Sequence, residues 1–142
     1  MVLNTDHLHR CVNTLDSALV LYRKAEPNSV EREVFRSAIV KNYELAQETT
    51  LKLLRRALRE FDLGRRALEA MTAREVLRLS AQHGLIEPSR VEPWFAYRDN
   101  RNSTAHEYGE HFAKETLLLL PAFLEDVKAV EQVLRTRFGV EA

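Results

Sequence analysis

The stretch FRSAIVKNYELAQETTLKLLRRAL, Phe35 to Leu58, decides the fold class. Its apolar residues recur at steps of three and four, which is the period of a helix that buries one face. Ser29 can cap the start of this helix, and the pattern continues as far as Gly64. The apolar face consists of Phe35, Ile39, Tyr43, Ala46, Leu53, Ala57 and Phe61. The sequence therefore predicts one long amphipathic helix of about nine turns.

Helical periodicity also marks both ends of the chain. Residues 3 to 22 predict a first helix, and the segment after Gly109 predicts a last helix. Pro121 interrupts the last pattern, and a bend is expected there because proline lacks the N–H that the helix needs. The two apolar faces consist of Leu8, Val12, Leu15, Leu19 and Tyr22, and of Phe112, Thr116, Leu120, Phe123, Val127, Val130, Leu134 and Phe138.

Two shorter helices are predicted between these elements. Thr72-x-x-Glu75 is a capping box that opens a short helix, and Gly84 closes it. Pro93-Trp94 begins or kinks a further helix, in which the lone Trp94 is expected to lie in the core. No segment alternates like a strand. The fold class predicted is all-α, an antiparallel up-down four-helix bundle with an extra short helix.

Composition agrees with a single helical domain spanning residues 1–142. The chain is 45% hydrophobic and 30% charged, with four Gly, four Pro and one cysteine. Cys11 falls on an apolar face and is expected to be a buried, inert thiol. No apolar run reaches membrane-spanning length and no signal-peptide core is present at the N-terminus, so no membrane contact and a cytoplasmic location are expected.

The formal net charge is zero, which argues against a general nucleic-acid coat but not against a local basic patch. One cluster of cations occurs near the end of the long helix. It consists of Lys52, Arg55, Arg56, Arg59, Arg65 and Arg66. A solvated helix end, where cations complement the macrodipole, is the favoured interpretation. The alternative is a weak RNA or partner contact through Lys52, Arg55 and Arg59, together with Arg98.

The stretch RDNRNSTAHEYGEH, Arg98 to His111, has a different composition. Its Asn, Ser and Thr side chains compete for backbone hydrogen bonds and Gly109 is a stop signal, so a helix should end hereabouts. Asn102 and His106 are four apart and can share a face, whereas Arg101 and His106 lie about 140° apart around a helix. Arg101 and His106 meet only if the helix ends between them, or if a second copy of the chain brings its own pair alongside.

These residue types suit a phosphodiester. A guanidinium can hold charged oxygens, and an imidazole that titrates near neutrality can move protons. The pattern is short, and the alternative is a surface Arg with a His favoured by a helix C-terminus. The histidines of HEYGEH are five apart across a glycine, so a metal site is not expected. No Gly-rich phosphate loop is present, so neither a cofactor nor kinase or nucleotidyltransferase activity is expected.

RNSTAHEY, Arg101 to Tyr108, followed by Gly109 and Glu110, resembles the Arg-x4-6-His motif of HEPN domains. In its Arg-Asn-x-x-x-His-x-Tyr form it resembles HepT toxins and the related nucleotidyltransferase substrate-binding proteins. The likeness extends to the order and spacing of Phe35 to Leu58, of Thr72 to Ile86 and of Trp94, and covers most of the chain. Arg98 offers a second candidate for the arginine of the motif.

The resemblance implies a HEPN-like bundle that acts as a metal-independent endoribonuclease toxin. His106 would serve as acid or base, Arg101 would stabilise the charged phosphorane and Asn102 would orient the groups. A partner nucleotidyltransferase, the antitoxin, would transfer AMP to Tyr108 and so neutralise the toxin. From spacing alone, Tyr108 is equally compatible with a core position.

The resemblance also leaves an alternative open, namely a non-catalytic substrate-binding or adaptor subunit of a separate small nucleotidyltransferase. Both functions imply that partner, and the family is similar in forming homodimers. Within the long helix, Lys41, Glu44 and Glu48 could face the motif in a fold of this kind. Surface pairs such as Glu48 with Lys52 are the preferred interpretation of these charges.

Overall fold

The computed structural model of the chain describes residues 2–104 and 110–139, and it describes side chains in these ranges except at 101–104 and 110–112. Every regular element in the described ranges is helical. The helices are α1 (Asp6–Lys24), α2 (Val30–Leu58), α3 (Arg65–Ala70), α4 (Ala73–Gln82), α5 (Val91–Thr104) and α6 (Glu110–Phe138). The predicted all-α fold class is confirmed.

The four longer helices form the bundle. α1 and α2 pack along each other, α6 lies against α1, α2 and α5, and α4 joins α2 to α5. Aromatic rings tie three of these helices together at their centre. Phe123 of α6 meets the rings of Tyr43, Trp94 and Tyr97 edge to face, with centroids 4.8, 5.7 and 5.2 Å away. Since such contacts add to the burial of large rings, this cluster fixes α5 against α2 and α6.

The first helix begins later than its apolar pattern indicates. α1 starts at Asp6, whereas the sequence predicted a start at residue 3. Leu3 is nevertheless buried, because its N–H donates to the carbonyl of Phe138 at 2.7 Å and so fastens the chain start to the end of α6. Its apolar side chain therefore belongs to the core without belonging to the helix.

The long helix ends earlier than predicted. Ser29 caps α2 as expected, accepting a hydrogen bond from the backbone N–H of Arg32 at 3.1 Å. α2 stops at Leu58, however, and a 3-10 turn follows over Arg59–Phe61. Asp62 then adopts a left-handed conformation with φ of 63°, which ends the helical path before the predicted limit at Gly64. α3 follows and was not predicted.

The predicted capping box is present. Thr72 accepts a hydrogen bond from the N–H of Glu75 at 3.2 Å, and Gly84 closes the segment with φ of 76°.

α5 begins at Val91, so Pro93 lies in its first turn, where its missing N–H is tolerated. α6 runs through Pro121 as one helix, and the bend expected there stays a prediction.

The core agrees with the predicted faces except at Tyr22, Phe35 and Phe61, which are only half-buried. Every residue predicted on the apolar face of the last helix is buried, apart from Phe112, whose side chain lies outside the described part. Trp94 lies in the core, as predicted. Cys11 is also buried, and its burial raises the pKa of its thiol above the ordinary value. In the described ranges, no helix is both long enough and apolar enough to cross a membrane.

Candidate active site

The motif, Arg101 to Tyr108, begins in the last turn of α5 and ends before α6. Arg101 and Asn102 fall in the last described turn of α5, but their side chains lie outside the described part. His106 and Tyr108 lie wholly outside the described residues. The structure therefore defines the scaffold that carries the predicted site residues, and their own geometry and roles stay predictions.

α5 is anchored to α2 through one carbonyl oxygen. The Tyr97 carbonyl accepts hydrogen bonds from the Tyr43 hydroxyl at 3.3 Å and from Nε2 of Gln47 at 3.2 Å. Both donors are fully buried. Burial raises the pKa of Tyr43 to about 12, so its hydroxyl keeps the proton that it donates.

Asn100 joins α5 to both of its large neighbours. Its Nδ2 lies 3.2 Å from the hydroxyl of Thr116 on α6 and 3.5 Å from the hydroxyl of Tyr43 on α2. The sequence suggested only that Asn100 weakens a helix. In the structure Asn100, which directly precedes Arg101, lies between two buried hydroxyls and has a specific set of partners.

The side chain of Arg98 also forms an ion pair with α2. Its Nη1 lies 2.8 Å from Oε1 of Glu48, and its side chain is only 19% exposed. This ion pair between α5 and α2 was not predicted from the sequence. The preferred interpretation, a surface pair of Glu48 with Lys52, stays a prediction. In the described part of the chain, Nε of Arg98 is buried without a hydrogen-bond partner.

A buried carboxylate holds the middle of α5 to α6. Asp126 accepts two hydrogen bonds from Arg90, at 2.9 and 3.0 Å, and one from the Tyr97 hydroxyl at 2.5 Å. Burial and the bond to Asp126 both raise the pKa of Tyr97. Sequence reasoning missed this group. The signal was an acid within the apolar stripe of α6, next to Phe123 and Val127.

The basic cluster divides into cations with structural partners and exposed ones. Arg55 donates to the carbonyl of Leu68 at 3.3 Å and of Met71 at 3.0 Å, and thereby satisfies the end of α3. Lys52 and Arg59 are exposed. The weak RNA or partner contact predicted for Lys52, Arg55 and Arg59 stays a prediction.

A cavity of about 650 Å³ lies between the start of α5 and the middle of α6, away from the motif segment. None of the predicted site residues lines it. Arg90, Trp94 and three acids, Glu87, Glu125 and Asp126, contribute to its wall. An acid-rich wall repels phosphate, so this cavity is unsuited to an RNA backbone. Within the described ranges, no group of three or more His, Cys, Asp or Glu side chains could hold a metal ion.

Comparison with known families gives one match to most of the chain. Residues 3–136 match the model of the family described as nucleotidyltransferase substrate binding protein like. The probable ribonuclease HepT of Haemophilus influenzae is 30% identical over 112 residues, which cover 79% of this chain and 75% of that protein.

Several solved structures share the fold. A Haemophilus influenzae protein, described as revealing the fold of a substrate binding domain of a nucleotidyltransferase, superposes with a TM-score of 0.80 at 23% identity, covering 93% of this chain and 99% of that one. A tri-AMPylated HEPN toxin of Shewanella oneidensis, in complex with MNT antitoxin, gives a TM-score of 0.66 at 17% identity, covering 95% and 100%. At these identities the likeness concerns the fold alone.

Proposed function

The chain belongs to the nucleotidyltransferase substrate binding protein-like family, and we propose from this that it is the ribonuclease toxin of a toxin–antitoxin pair with a nucleotidyltransferase antitoxin. The observation that carries the proposal is the 30% identity to the probable ribonuclease HepT over most of the chain, together with the Arg101-x4-His106 pattern. The shared fold with a HEPN toxin that was solved in complex with MNT antitoxin supports it.

The proposed reaction uses the 2′-hydroxyl of the RNA as nucleophile. Its oxygen bonds to the adjacent phosphorus, the 5′-oxygen leaves, and a 2′,3′-cyclic phosphate remains. His106 acts either as the base that accepts the proton of the 2′-hydroxyl or as the acid that donates a proton to the leaving 5′-oxygen. Arg101 stabilises the added negative charge of the phosphorane, and Asn102 orients the groups. No step needs a metal ion.

The environment of Arg98 supports Arg101 as the principal arginine. The guanidinium of Arg98 already pairs with Glu48 at 2.8 Å and is largely buried. An RNA phosphate would have to displace that carboxylate before Arg98 could bind it, and separating such a pair leaves a charge without its partner. Arg101 follows one turn later on α5 and is the better candidate for the phosphate.

We propose that the active form is a homodimer. Val30, Val34 and Leu45 are 76%, 58% and 37% exposed and recur on one side of α2, on the helix that also carries Glu48. A second copy packed on this stripe would cover apolar surface and bring its motif toward the first, and two-fold pairing is the commonest form of oligomer.

The dimer is tested by light scattering at micromolar concentration. Val34→Glu should yield monomers and lower ribonuclease activity, because a buried charge opposes association. Val2→Glu is the matched control, since Val2 is 49% exposed and lies at the start of the chain. A wild-type monomer with full activity would overturn the proposal.

The catalytic assignment is tested with His106→Ala and Arg101→Ala. Each should remove most of the cleavage while changing the melting temperature little, because both residues are proposed to act on RNA and not on the core. His9→Ala and Arg10→Ala, at exposed positions of α1, are the matched controls and should keep full activity. Activity that survives His106→Ala would rule out the mechanism.

We further propose that AMP transfer to Tyr108 by the antitoxin switches the enzyme off. An adenylyl group adds a negative phosphodiester that competes with RNA for Arg101, and its bulk obstructs the cleft. Tyr108→Phe should keep ribonuclease activity yet escape neutralisation by the antitoxin and ATP. If the mass of peptides containing Tyr108 is unchanged after incubation with antitoxin and ATP, the proposed switch is wrong.

A second candidate function is a non-catalytic substrate-binding or adaptor subunit of a nucleotidyltransferase. The description of the matching family and that of the Haemophilus influenzae structure favour it. In this case the purified chain would bind the nucleotidyltransferase but would leave RNA intact. The cleavage assay with wild-type protein therefore separates the two candidates.

A further inference from the structure

Asn100 stands one residue before Arg101 and is hydrogen-bonded to two other helices. Its carboxamide lies between the hydroxyls of Thr116 on α6 and Tyr43 on α2. We infer that Asn100 is a positioning residue for the cleavage reaction, and that with Tyr43, Gln47, Tyr97 and Thr116 it forms a network, here named the Asn100 network, that sets the rotation of the last turn of α5. The inference rests on the proposed ribonuclease function.

The network acts on the turn that leads to the motif. In an α-helix the carbonyl of residue 97 belongs to the same turn as the N–H of residue 101. The Tyr97 carbonyl also receives the Tyr43 hydroxyl and the Gln47 amide, at 3.3 and 3.2 Å. Two donors from α2 therefore hold the Tyr97 carbonyl, and this peptide group begins the helical turn that ends at Arg101.

The Tyr43 hydroxyl couples the two halves of the network. It donates to the Tyr97 carbonyl and accepts from Asn100, so a change at Asn100 alters the partner of the group that holds Tyr97. The Thr116 hydroxyl on α6 accepts from the same Nδ2 of Asn100, at 3.2 Å. A rotation of α5 about its axis would break bonds to α2 and α6 together.

Stability alone does not require these polar groups. Tyr43 and Thr116 are fully buried, and replacing both partners of a buried hydrogen bond by apolar groups of the same shape can leave stability nearly unchanged. Hydrogen bonds differ from apolar contacts because they hold only in a narrow range of angles and distances. The network therefore restricts the orientation of α5 more than it adds to the free energy of unfolding.

Catalysis is sensitive to such orientation. A displacement of about 1 Å at a reacting group can lower the rate on the order of 100-fold. Removing the Thr116 hydroxyl or the Asn100 carboxamide should therefore lower kcat about 10-fold or more, with KM changed less. The reason is that the phosphate is still attracted while the catalytic groups are misaligned.

The test compares Thr116→Val, which replaces the hydroxyl by a methyl group of similar size, with Thr50→Val. Thr50 is also fully buried, but its hydroxyl donates to the Ala46 carbonyl within α2, at 2.7 Å, and takes no part in the network. Thr116→Val and Asn100→Ala should lose kcat, whereas Thr50→Val and the conservative Thr116→Ser should keep it. Equal kcat in Thr116→Val and wild type, or equal losses in Thr116→Val and Thr50→Val, would overturn the inference.

A second measurement separates failure of the inference from failure of the proposed function. Amide hydrogen exchange over residues 98–104 should be faster in Thr116→Val than in Thr50→Val, because the last turn of α5 loses its fixed orientation. If the wild-type chain does not cleave RNA, the proposed function fails, and this comparison still decides the network. Identical exchange in the two variants would then overturn it.

Discussion

The two halves of α5 are held in different ways. In the first half, Trp94 and Phe95 are buried and pack mainly through their rings, and Tyr97 at its end adds hydrogen bonds through its hydroxyl and its carbonyl to its ring contacts. In the second half, Arg98 and Asn100 are bound to polar groups on α2 and α6, and Asp99 pairs with Arg74 of α4 at 2.7 Å. Ring packing supplies stability and tolerates small rotations, whereas hydrogen bonds specify orientation. The helix thus changes from a stabilising segment to a positioning segment just before the motif.

The largest effect on stability is expected in the first half. Trp94→Ala should lower the free energy of unfolding by about 3–5 kcal/mol, because it removes a buried ring that contacts Tyr97 and Phe123. Urea denaturation measures this change. Trp94→Phe is the control and should cost less than about 2 kcal/mol, since the indole N–H has no partner in the described part of the chain. Equal losses in the two variants would assign the effect to the N–H.

The second prediction concerns Tyr43, which links both halves. Its pKa of about 12 in the folded chain exceeds the ordinary value of 10. The unfolded chain therefore loses this proton first as pH rises, and stability falls from about pH 10 up to about pH 12. Between pH 9 and 11, the free energy of unfolding of the wild-type chain should fall by about 1 kcal/mol more than that of Tyr43→Phe. An identical fall in the two proteins would contradict the assignment.

The smallest effect is expected at the exposed side of the second half. Asp99 and Arg74 are 57% and 46% exposed, so their pair is screened by water. Asp99→Asn should change the free energy of unfolding by less than about 0.5 kcal/mol in urea denaturation. A loss as large as that of Trp94→Ala would show that the second half also carries the stability of the bundle.

Much of the fold follows from local patterns. The apolar faces of α2 and α6, the Ser29 cap and the Thr72 capping box are all set by residues near one another in sequence, and they were predicted. α3 was missed because it is six residues long and is preceded by Gly64, which offers no capping side chain. The end of α2 was misplaced because the left-handed Asp62 carries no apolar signal.

The candidate site was predictable only in part. The sequence RNSTAHEY identified the motif, and the family match confirms the resemblance that it suggested. The roles of Asn100, Glu48 and Asp126 depend on partners on other helices. Such pairings arise when helices pack, and no local pattern encodes them. Arg55 is a similar case, since its acceptors lie at the end of the unpredicted α3.

The most direct test of the ribonuclease proposal is cleavage of RNA by the purified wild-type chain in EDTA, with analysis of the product ends. We predict cleavage without a divalent metal, and products that end in a 2′,3′-cyclic phosphate, because the 2′-hydroxyl is the proposed nucleophile and His106 and Arg101 the proposed catalytic groups. Intact RNA in EDTA, or products that end in a 3′-hydroxyl, would contradict it.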